Sequence, residues 1–98
     1  MPKYACKIDS NHGLIKLAFE QMGATTVDIF RLGSNVPDIL VGVCGVDQMV
    51  EVKAEDGECT DGQLKFHNEW NGRSIRVVRN VQEAALVVAD MGAAGRRR

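Results

Sequence analysis

The stretch that decides the fold is residues 37–53, which read PDILVGVCGVDQMVEVK. Two runs rich in valine, isoleucine and leucine flank a short segment that contains Gly45. This arrangement predicts two antiparallel strands, at 38–43 and 48–54, joined by a tight turn. We expect the turn to span residues 44–47, with Gly45 at its first central position, as a type II′ turn prefers. A β-hairpin is therefore the centre of the predicted fold.

The sequence on either side of this hairpin divides into further helices and strands at turn signals. Thr60 and Asn80 each stand three residues before a glutamine or glutamate, a spacing typical of capped helix starts. The predicted helices are 9–22, 60–71 and a third from residue 80, and the predicted strands outside the hairpin are 26–32 and 74–78. The order α-β-β-β-α-β-α predicts a mixed α/β domain with helices on a central sheet.

Two of the predicted helices carry stripes of side chains at helical spacing, which indicates the face that packs on the sheet. We expect Phe66 and Trp70 to be core residues, and His67 to be half-buried rather than a metal ligand. Gln63, at the start of its helix, faces the strands. The first stripe is Ile15, Ala18, Phe19 and Met22, and the second is Gln63, Phe66, His67 and Trp70.

The composition places the chain among single-domain proteins of the cytoplasm. It has 98 residues, 45% of them hydrophobic, and a net charge of −1, which suits one domain at 1–91 followed by a flexible basic tail at 92–98. No apolar run approaches the roughly 18 residues of a membrane span, and no signal peptide is recognisable. Three cysteines without a Cys-x-x-Cys pair favour free thiols over disulfides or structural zinc.

The hairpin also carries three charged residues that alternation predicts to share one face. A four-residue turn would place Asp38 opposite Lys53 and Leu40 opposite Glu51. Asp38 and Glu51 then become diagonal neighbours, about 7–8 Å apart at Cα. Such a group is either a solvated cross-strand ion pair or a site that holds a cation between two carboxylates.

Oxygen ligands of this kind suit Mg²⁺, which takes one or two protein carboxylates together with waters and substrate phosphate. The carbonyl oxygen of Val52 is a further candidate ligand. A lysine beside the metal can stabilise developing charge or orient an attacking water. This set of groups is suited to phosphodiester hydrolysis.

The same residues resemble a known nuclease signature. Residues 37–38 and 51–53 are similar to the PD-(D/E)xK signature of metal-dependent nucleases. With 37–42 and the Gln-x-x-Phe-His-x-x-Trp pattern at 63–70, the chain resembles the small VRR-NUC (virus-type replication-repair nuclease) domains of phages and bacteria, which are related to Holliday junction resolvases. The likeness extends from about residue 9 to about residue 85.

The resemblance implies a restriction-endonuclease-like core and a role for each matching residue. Asp38 and Glu51 would be metal ligands, Lys53 the catalytic lysine, and Gln63 a residue that positions the catalytic groups. The implied cofactor is Mg²⁺ or Mn²⁺. The implied activity is structure-selective cleavage of branched or flap-bearing DNA, and the implied assembly is a homodimer.

The chain departs from the family pattern at the start of the first helix. The family usually has a glutamate there, whereas residues 10–14 read SNHGL. Glu20 lies too far along the helix, so Asp9, Asn11 or His12 would have to substitute by binding a metal-bound water. Three alternatives stay open: an active endonuclease, a module that binds branched DNA without cutting it, and a regulatory or structural protein.

The charge distribution favours a nucleic-acid partner more than the total suggests. From residue 73 onward, six arginines stand against two acidic residues, which gives +4, while residues 1–72 carry −5. Arg73, Arg76 and Arg79 are therefore predicted to contact phosphates, which position DNA without reading its sequence; the alternative is an exposed strand edge.

Overall fold

The computed structural model describes residues 11–96. Its helices are α1 His12–Gln21, α2 Asp61–Glu69 and α3 Val81–Arg96, and its strands are β1 Thr25–Asp28, β2 Ile39–Val43, β3 Val46–Val52 and β4 Arg76–Val78. A short 3-10 turn, Phe30–Leu32, lies between β1 and β2. The predicted order of elements is confirmed. Within the described range, no helix has the length and apolar character that crossing a membrane requires.

The four strands form one mixed sheet in the order β1-β2-β3-β4. The first two pairings are antiparallel, and β3 pairs with β4 in parallel because α2 provides the crossover that parallel neighbours need. Side-chain alternation gives the sheet two different faces. One face packs with α1 and α3 to form the core, which includes Ile15, Phe19, Ile39, Val41, Val50, Val52, Val78, Ala84, Val87 and Met91. The other face carries Glu51 and lies under α2.

The hairpin turn is shorter than predicted. The last strand pair joins Val43 and Val46, so Cys44 and Gly45 alone form the turn, with φ of 53° and 77°. Positive φ at both central residues is a feature of type I′ turns, whose twist matches that of the strands. The predicted four-residue turn and its register are therefore wrong, and Leu40 lies opposite residue 49 rather than 51. Because the shift is two residues, every side chain keeps its predicted face.

The strand predicted at 26–32 is correct only in its first half. The observed strand, Thr25–Asp28, gives way to the 3-10 turn Phe30–Leu32. The N–H of Ile29 still bonds to the residue before β2 (2.9 Å), but residues 33–35 all have positive φ and reverse the chain. The residues of this segment favour a strand, but a turn is needed here to connect two antiparallel strands. The turn therefore replaces the second half of the predicted strand.

Helix α3 continues to Arg96, so the flexible tail predicted for 92–98 is wrong up to that residue. Gly92 is buried, and Gly95 lies against the hairpin turn. A Cβ on Gly95 would stand 2.5 Å from the carbonyl oxygen of Cys44, a separation that backbone atoms do not tolerate. Glycine at this position therefore lets the end of the helix pack on the turn.

The predicted apolar stripe of α1 is confirmed for Ile15, Ala18 and Phe19, which are buried. Met22 follows the helix as its C-cap residue and is exposed. The helix begins at His12, and the first two residues of the predicted range 9–22 lie outside the described part of the chain. The core contact of α1 thus comes from its middle two turns.

Helix α2 contributes no buried residue to the core. Trp70 is 46% exposed and Phe66 is half-buried, so the prediction that both belong to the core is wrong. The two rings instead stack on each other at the surface. The helix is held over the sheet by polar contacts of Gln63 in its first turn and His67 in its last turn.

The hydrogen bonds around Asp28 link α1 to β1 and make this contact sensitive to acid. His12 Nε2 and Lys16 Nζ donate to its two carboxylate oxygens at 2.9 and 3.0 Å. These hydrogen bonds lower the pKa of Asp28 below 3.8. Since the folded-state pKa is depressed, the stabilisation is present above pH 3.8 and is lost as the pH falls through the folded-state pKa.

We therefore expect Asp28→Asn to lower the free energy of unfolding at neutral pH and to have a smaller effect in acid. Urea unfolding at pH 7 and at a pH below the lowered folded-state pKa of Asp28 measures both differences. Asp56→Asn, in an exposed loop, is the control and should change the unfolding free energy little at either pH. An effect of Asp28→Asn that is equal at both pH values would contradict the assignment.

Candidate active site

Asp38 is held at the entrance to β2 by the backbone of the neighbouring strand. Its N–H donates to the carbonyl oxygen of Val50 (3.0 Å), and its Oδ2 accepts from the N–H of Val52 (2.8 Å). The residue is 7% exposed and follows the buried Pro37. The carboxylate is thus fixed against the segment of β3 that carries Glu51.

Glu51 is buried in β3, on the same face of the sheet as Asp38, with only 2% of its surface exposed. Two side chains of α2 reach it: Gln63 Nε2 donates to Oε2, and His67 Nε2 contacts Oε1, both at 3.3 Å. A buried carboxylate is costly unless it is hydrogen-bonded. Helix α2 therefore supplies the polar partners that this position requires.

Gln63 joins the start of α2 to this carboxylate. Its Oε1 accepts from the N–H of Thr60 (2.9 Å), while its own N–H donates to Thr60 Oγ1 (3.2 Å). This is the capping box predicted from the sequence. The remaining side-chain group, Nε2, faces Glu51. One side chain thus both begins the helix and orients the carboxylate.

Lys53 follows β3, and the backbone around it is fixed from two directions. Its N–H donates to the carbonyl oxygen of Val78 (3.1 Å), and its own carbonyl oxygen accepts from Asn11 Nδ2 (3.0 Å). The same Asn11 nitrogen also donates to the carbonyl oxygen of Arg79 (3.1 Å). The residue that precedes α1 therefore clamps the ends of β3 and β4 together.

The charge of Lys53 acts on the side chains around it. Burial and then the nearby Lys53 charge lower the pKa of His67 below 6.5. The imidazole is therefore neutral at pH 7, so its contact with Glu51 is a hydrogen bond rather than an ion pair. This places the lysine within electrostatic reach of the helix face above Glu51.

Cys59 is a residue of this site that the sequence did not reveal. Burial raises the pKa of its thiol, and the charge of Glu51 acts in the same direction, while Lys53 and Arg79 oppose it and Asp38 adds to it. A raised pKa keeps the thiol protonated and poorly nucleophilic. The signal for it was only its position just before the Thr60 cap.

The donor set fits a hard divalent cation. Two buried carboxylates on adjacent strands suffice for Mg²⁺, which completes its coordination with water and substrate oxygens. Within residues 11–96, no group of three or more His, Cys, Asp and Glu side chains is arranged around one point. Val52 ends β3 and its N–H donates to Asp38, so its carbonyl is the nearby backbone candidate for a further oxygen ligand.

Three residues were candidates to replace the missing carboxylate of the first helix, and the structure describes two of them. His12 is hydrogen-bonded to Asp28. Asn11 reaches the strand ends, and its Oδ1 is buried with no hydrogen-bond partner among residues 11–96. Asp9 lies outside the described residues.

The three arginines predicted to contact DNA are not brought together. Arg76 pairs with Asp90 of α3 (2.7 Å) on the core side of the sheet. Arg79 donates to the carbonyl oxygen of Gly57 (2.8 Å) on the side of the candidate site, where its charge reaches Cys59. Arg73 donates to Gln48 (3.1 Å) near the start of β4. Arg76 begins β4 and Arg79 follows its last residue, so the two side chains have different surroundings.

Comparison with known proteins supports the fold. No family model and no curated protein matches the chain. Among solved structures, a VRR_NUC domain superposes with a TM-score of 0.65 at 27% sequence identity, covering 79% of this chain and 88% of that one. The chain has the fold of a VRR-NUC domain, and the predicted fold class is confirmed.

Proposed function

We propose that the chain is a metal-dependent nuclease that hydrolyses phosphodiester bonds in branched DNA. The observation that carries this proposal is the pair of buried carboxylates, Asp38 and Glu51, on one face of the sheet, with Lys53 two residues after Glu51. A solvated ion pair is exposed and needs no bonds to the backbone. The burial of these carboxylates and their occurrence within a VRR-NUC fold therefore support a nuclease over such a pair.

In this proposal Asp38, Glu51 and the carbonyl of Val52 would hold Mg²⁺ or Mn²⁺. When bound, the cation supplies Lewis-acid polarisation of the scissile phosphate. Lys53 orients the attacking water and stabilises the charge that develops on the phosphate oxygens. Gln63 keeps the Glu51 carboxylate in one orientation, as outer-shell partners do in metal sites.

We infer the substrate and the assembly from the size of the domain and the position of its positive charges. Arg79 is the arginine on the side of the carboxylates, so it is the strongest candidate for a phosphate contact beside the cut. One site per chain cuts one strand, and two symmetric incisions in a four-way junction need two copies. We infer a homodimer that acts on four-way junctions or flaps.

The experiment that tests the proposal distinguishes the role of Lys53 in cleavage from the role of the carboxylates in metal binding. Lys53→Met retains the aliphatic side chain but removes the charge, so we expect cleavage of a four-way junction to fall by about 100-fold or more. Binding of Mn²⁺, measured by calorimetry, should persist or become tighter because a positive charge next to the cation is removed. Lys65→Met, in an exposed i,i+4 pair on α2, is the matched control and should cut at the wild-type rate.

Two results would contradict the proposal. One is equal cleavage by the wild type and Lys53→Met, which would remove the lysine from the mechanism. The other is cleavage by the wild type that is undiminished in a chelator, which would remove the metal.

A second candidate function has one specific observation in its favour. The first turn of α1 carries no acidic residue, and His12 is committed to Asp28. A site without the helix carboxylate suits a domain that binds branched DNA and cuts it weakly or not at all. Junction binding that weakens steeply with salt, together with no cleavage in Mg²⁺ or Mn²⁺, would favour this candidate.

A further inference from the structure

The face of the sheet under α2 bears an apolar groove that the proposed mechanism does not use. Its volume is about 630 Å³, within the range of pockets that accept small molecules. We call it the aromatic groove, after the two rings that form one wall. The residues that define its shape and charge include Leu32, Leu40, Met49, Phe66, Trp70 and Arg73.

The wall of the groove is a stacked pair of aromatic rings at the surface. The rings of Phe66 and Trp70 are nearly parallel, at 14°, with centroids 5.6 Å apart. Trp70 is 46% exposed and Leu32 is 72% exposed, so the apolar surface is open to solvent. A flat aromatic face open to solvent is the feature on which proteins stack bases of single-stranded DNA.

The groove lies directly beside the candidate active site. Leu40 and Met49 are opposite each other on β2 and β3, and Asp38 and Glu51 come two residues further along the same face. Two residues of a strand span about 7 Å. A DNA strand that had its phosphate at the carboxylates and ran along β2 and β3 would have its next nucleotide over Leu40 and Met49.

The charge at the rim suits a phosphodiester chain. Arg73 lines the groove, and its Nε is held by Oε1 of Gln48 (3.1 Å), a residue only 2% exposed. This anchor fixes the guanidinium at the groove. Asp47 also lines the rim and is exposed, and its negative charge opposes a phosphate. The two rim charges therefore predict opposite effects on DNA binding when each is neutralised.

We propose that the aromatic groove binds an unpaired nucleobase of single-stranded DNA next to the cut site, with the base on the Phe66–Trp70 pair and Arg73 on the adjoining phosphate. The proposal rests on the proposed nuclease function for the position of the cut, and it names the substrate as DNA with an unpaired segment. A fully paired duplex keeps its bases stacked on each other and offers none to the groove.

Trp70 is the only tryptophan of the chain, so its fluorescence reports on this site alone. We titrate the full chain with a short oligothymidine in a chelator, which prevents cleavage, and record tryptophan emission. Stacking should quench the emission, and a blunt duplex of the same length should quench it little. Unchanged emission, or equal quenching by the duplex, would overturn the proposal.

Variants test the same contact through the affinity for a labelled oligothymidine. Trp70→Leu should weaken binding by about 5- to 150-fold, the usual loss for one base-stacking side chain, and Trp70→Phe should recover most of it. Arg73→Ala should weaken binding, whereas Asp47→Asn should strengthen it. Leu86→Ala, which truncates a 61% exposed residue of α3 on the other side of the sheet, is the control. Equal affinity of Trp70→Leu and the wild type would refute the contact.

Light scattering distinguishes the other possible occupant, a second copy of this chain. Trp70→Leu should leave the mass unchanged, and a drop from dimer to monomer would overturn the proposal in favour of a subunit interface. The binding assay needs no catalysis, so the two proposals fail separately. Cleavage without quenching refutes only the groove, and quenching without cleavage refutes only the nuclease.

Discussion

Glu51→Gln is expected to abolish metal-dependent cleavage while leaving the fold intact. The substitution preserves the size of a side chain that is 2% exposed. Its amide oxygen still accepts from Gln63, and its amide nitrogen donates to His67 once that ring changes tautomer. The loss of a ligand charge should exceed the roughly 10- to 100-fold effect of removing an outer-shell partner. Initial rates on a four-way junction, with a thermal melt of each protein, measure both effects.

Glu20→Gln provides the control, because it makes the same chemical change on an exposed residue of α1. Glu20 accepts a hydrogen bond from Thr26 (2.6 Å) at the far end of the helix from the site. We expect it to cut at the wild-type rate. If instead Glu51→Gln cuts normally and Glu20→Gln does not, the catalytic carboxylate belongs to α1.

Phe19→Ala is expected to have the largest effect on stability. Phe19 is fully buried, with 0% exposure, in the core between α1 and the sheet. Truncating a buried phenylalanine removes about 3–5 kcal/mol, since the lost transfer free energy adds to that of the cavity. Small domains have about 5–15 kcal/mol in total, so the variant should unfold at a much lower urea concentration.

Leu17→Ala on the same helix is the comparison. Leu17 is 49% exposed, and its truncation should change the free energy of unfolding by about 0.5 kcal/mol or less. Similar midpoints for the two variants in urea would mean that α1 does not pack on the sheet through the Phe19 side.

The sequence predicted the parts of the fold that depend on local patterns. Alternation in the hairpin placed Asp38 and Glu51 on one face even though the turn was assigned two residues too long. The error was harmless because side-chain direction repeats every two residues. The Thr60–Gln63 cap was predicted correctly because both of its partners are local in the chain.

The parts that the sequence did not predict depend on contacts between distant segments. The glycine-rich segment from residue 92 reads as a flexible tail, but α3 continues to Arg96 and Gly95 packs against Cys44 of the distant hairpin turn. The spacing of Trp70 predicts a core residue. In the structure, however, Gln63 and His67 hold α2 over the sheet, and the aromatic side of the helix does not. The Asn11 clamp joins residues 42 and 68 positions away, a distance over which one sequence alone gives no pairing signal.

The double role of Gln63 has a thermodynamic consequence. Its Oε1 accepts a hydrogen bond from the backbone N–H of Thr60, and its Nε2 donates one to Glu51. Unwinding of the first turn of α2 therefore also releases the carboxylate. Changes at Thr60 and Glu51 should therefore be non-additive in a double-mutant cycle. By reciprocity, any ligand that binds more tightly to the oriented carboxylate also slows hydrogen exchange at the start of this helix.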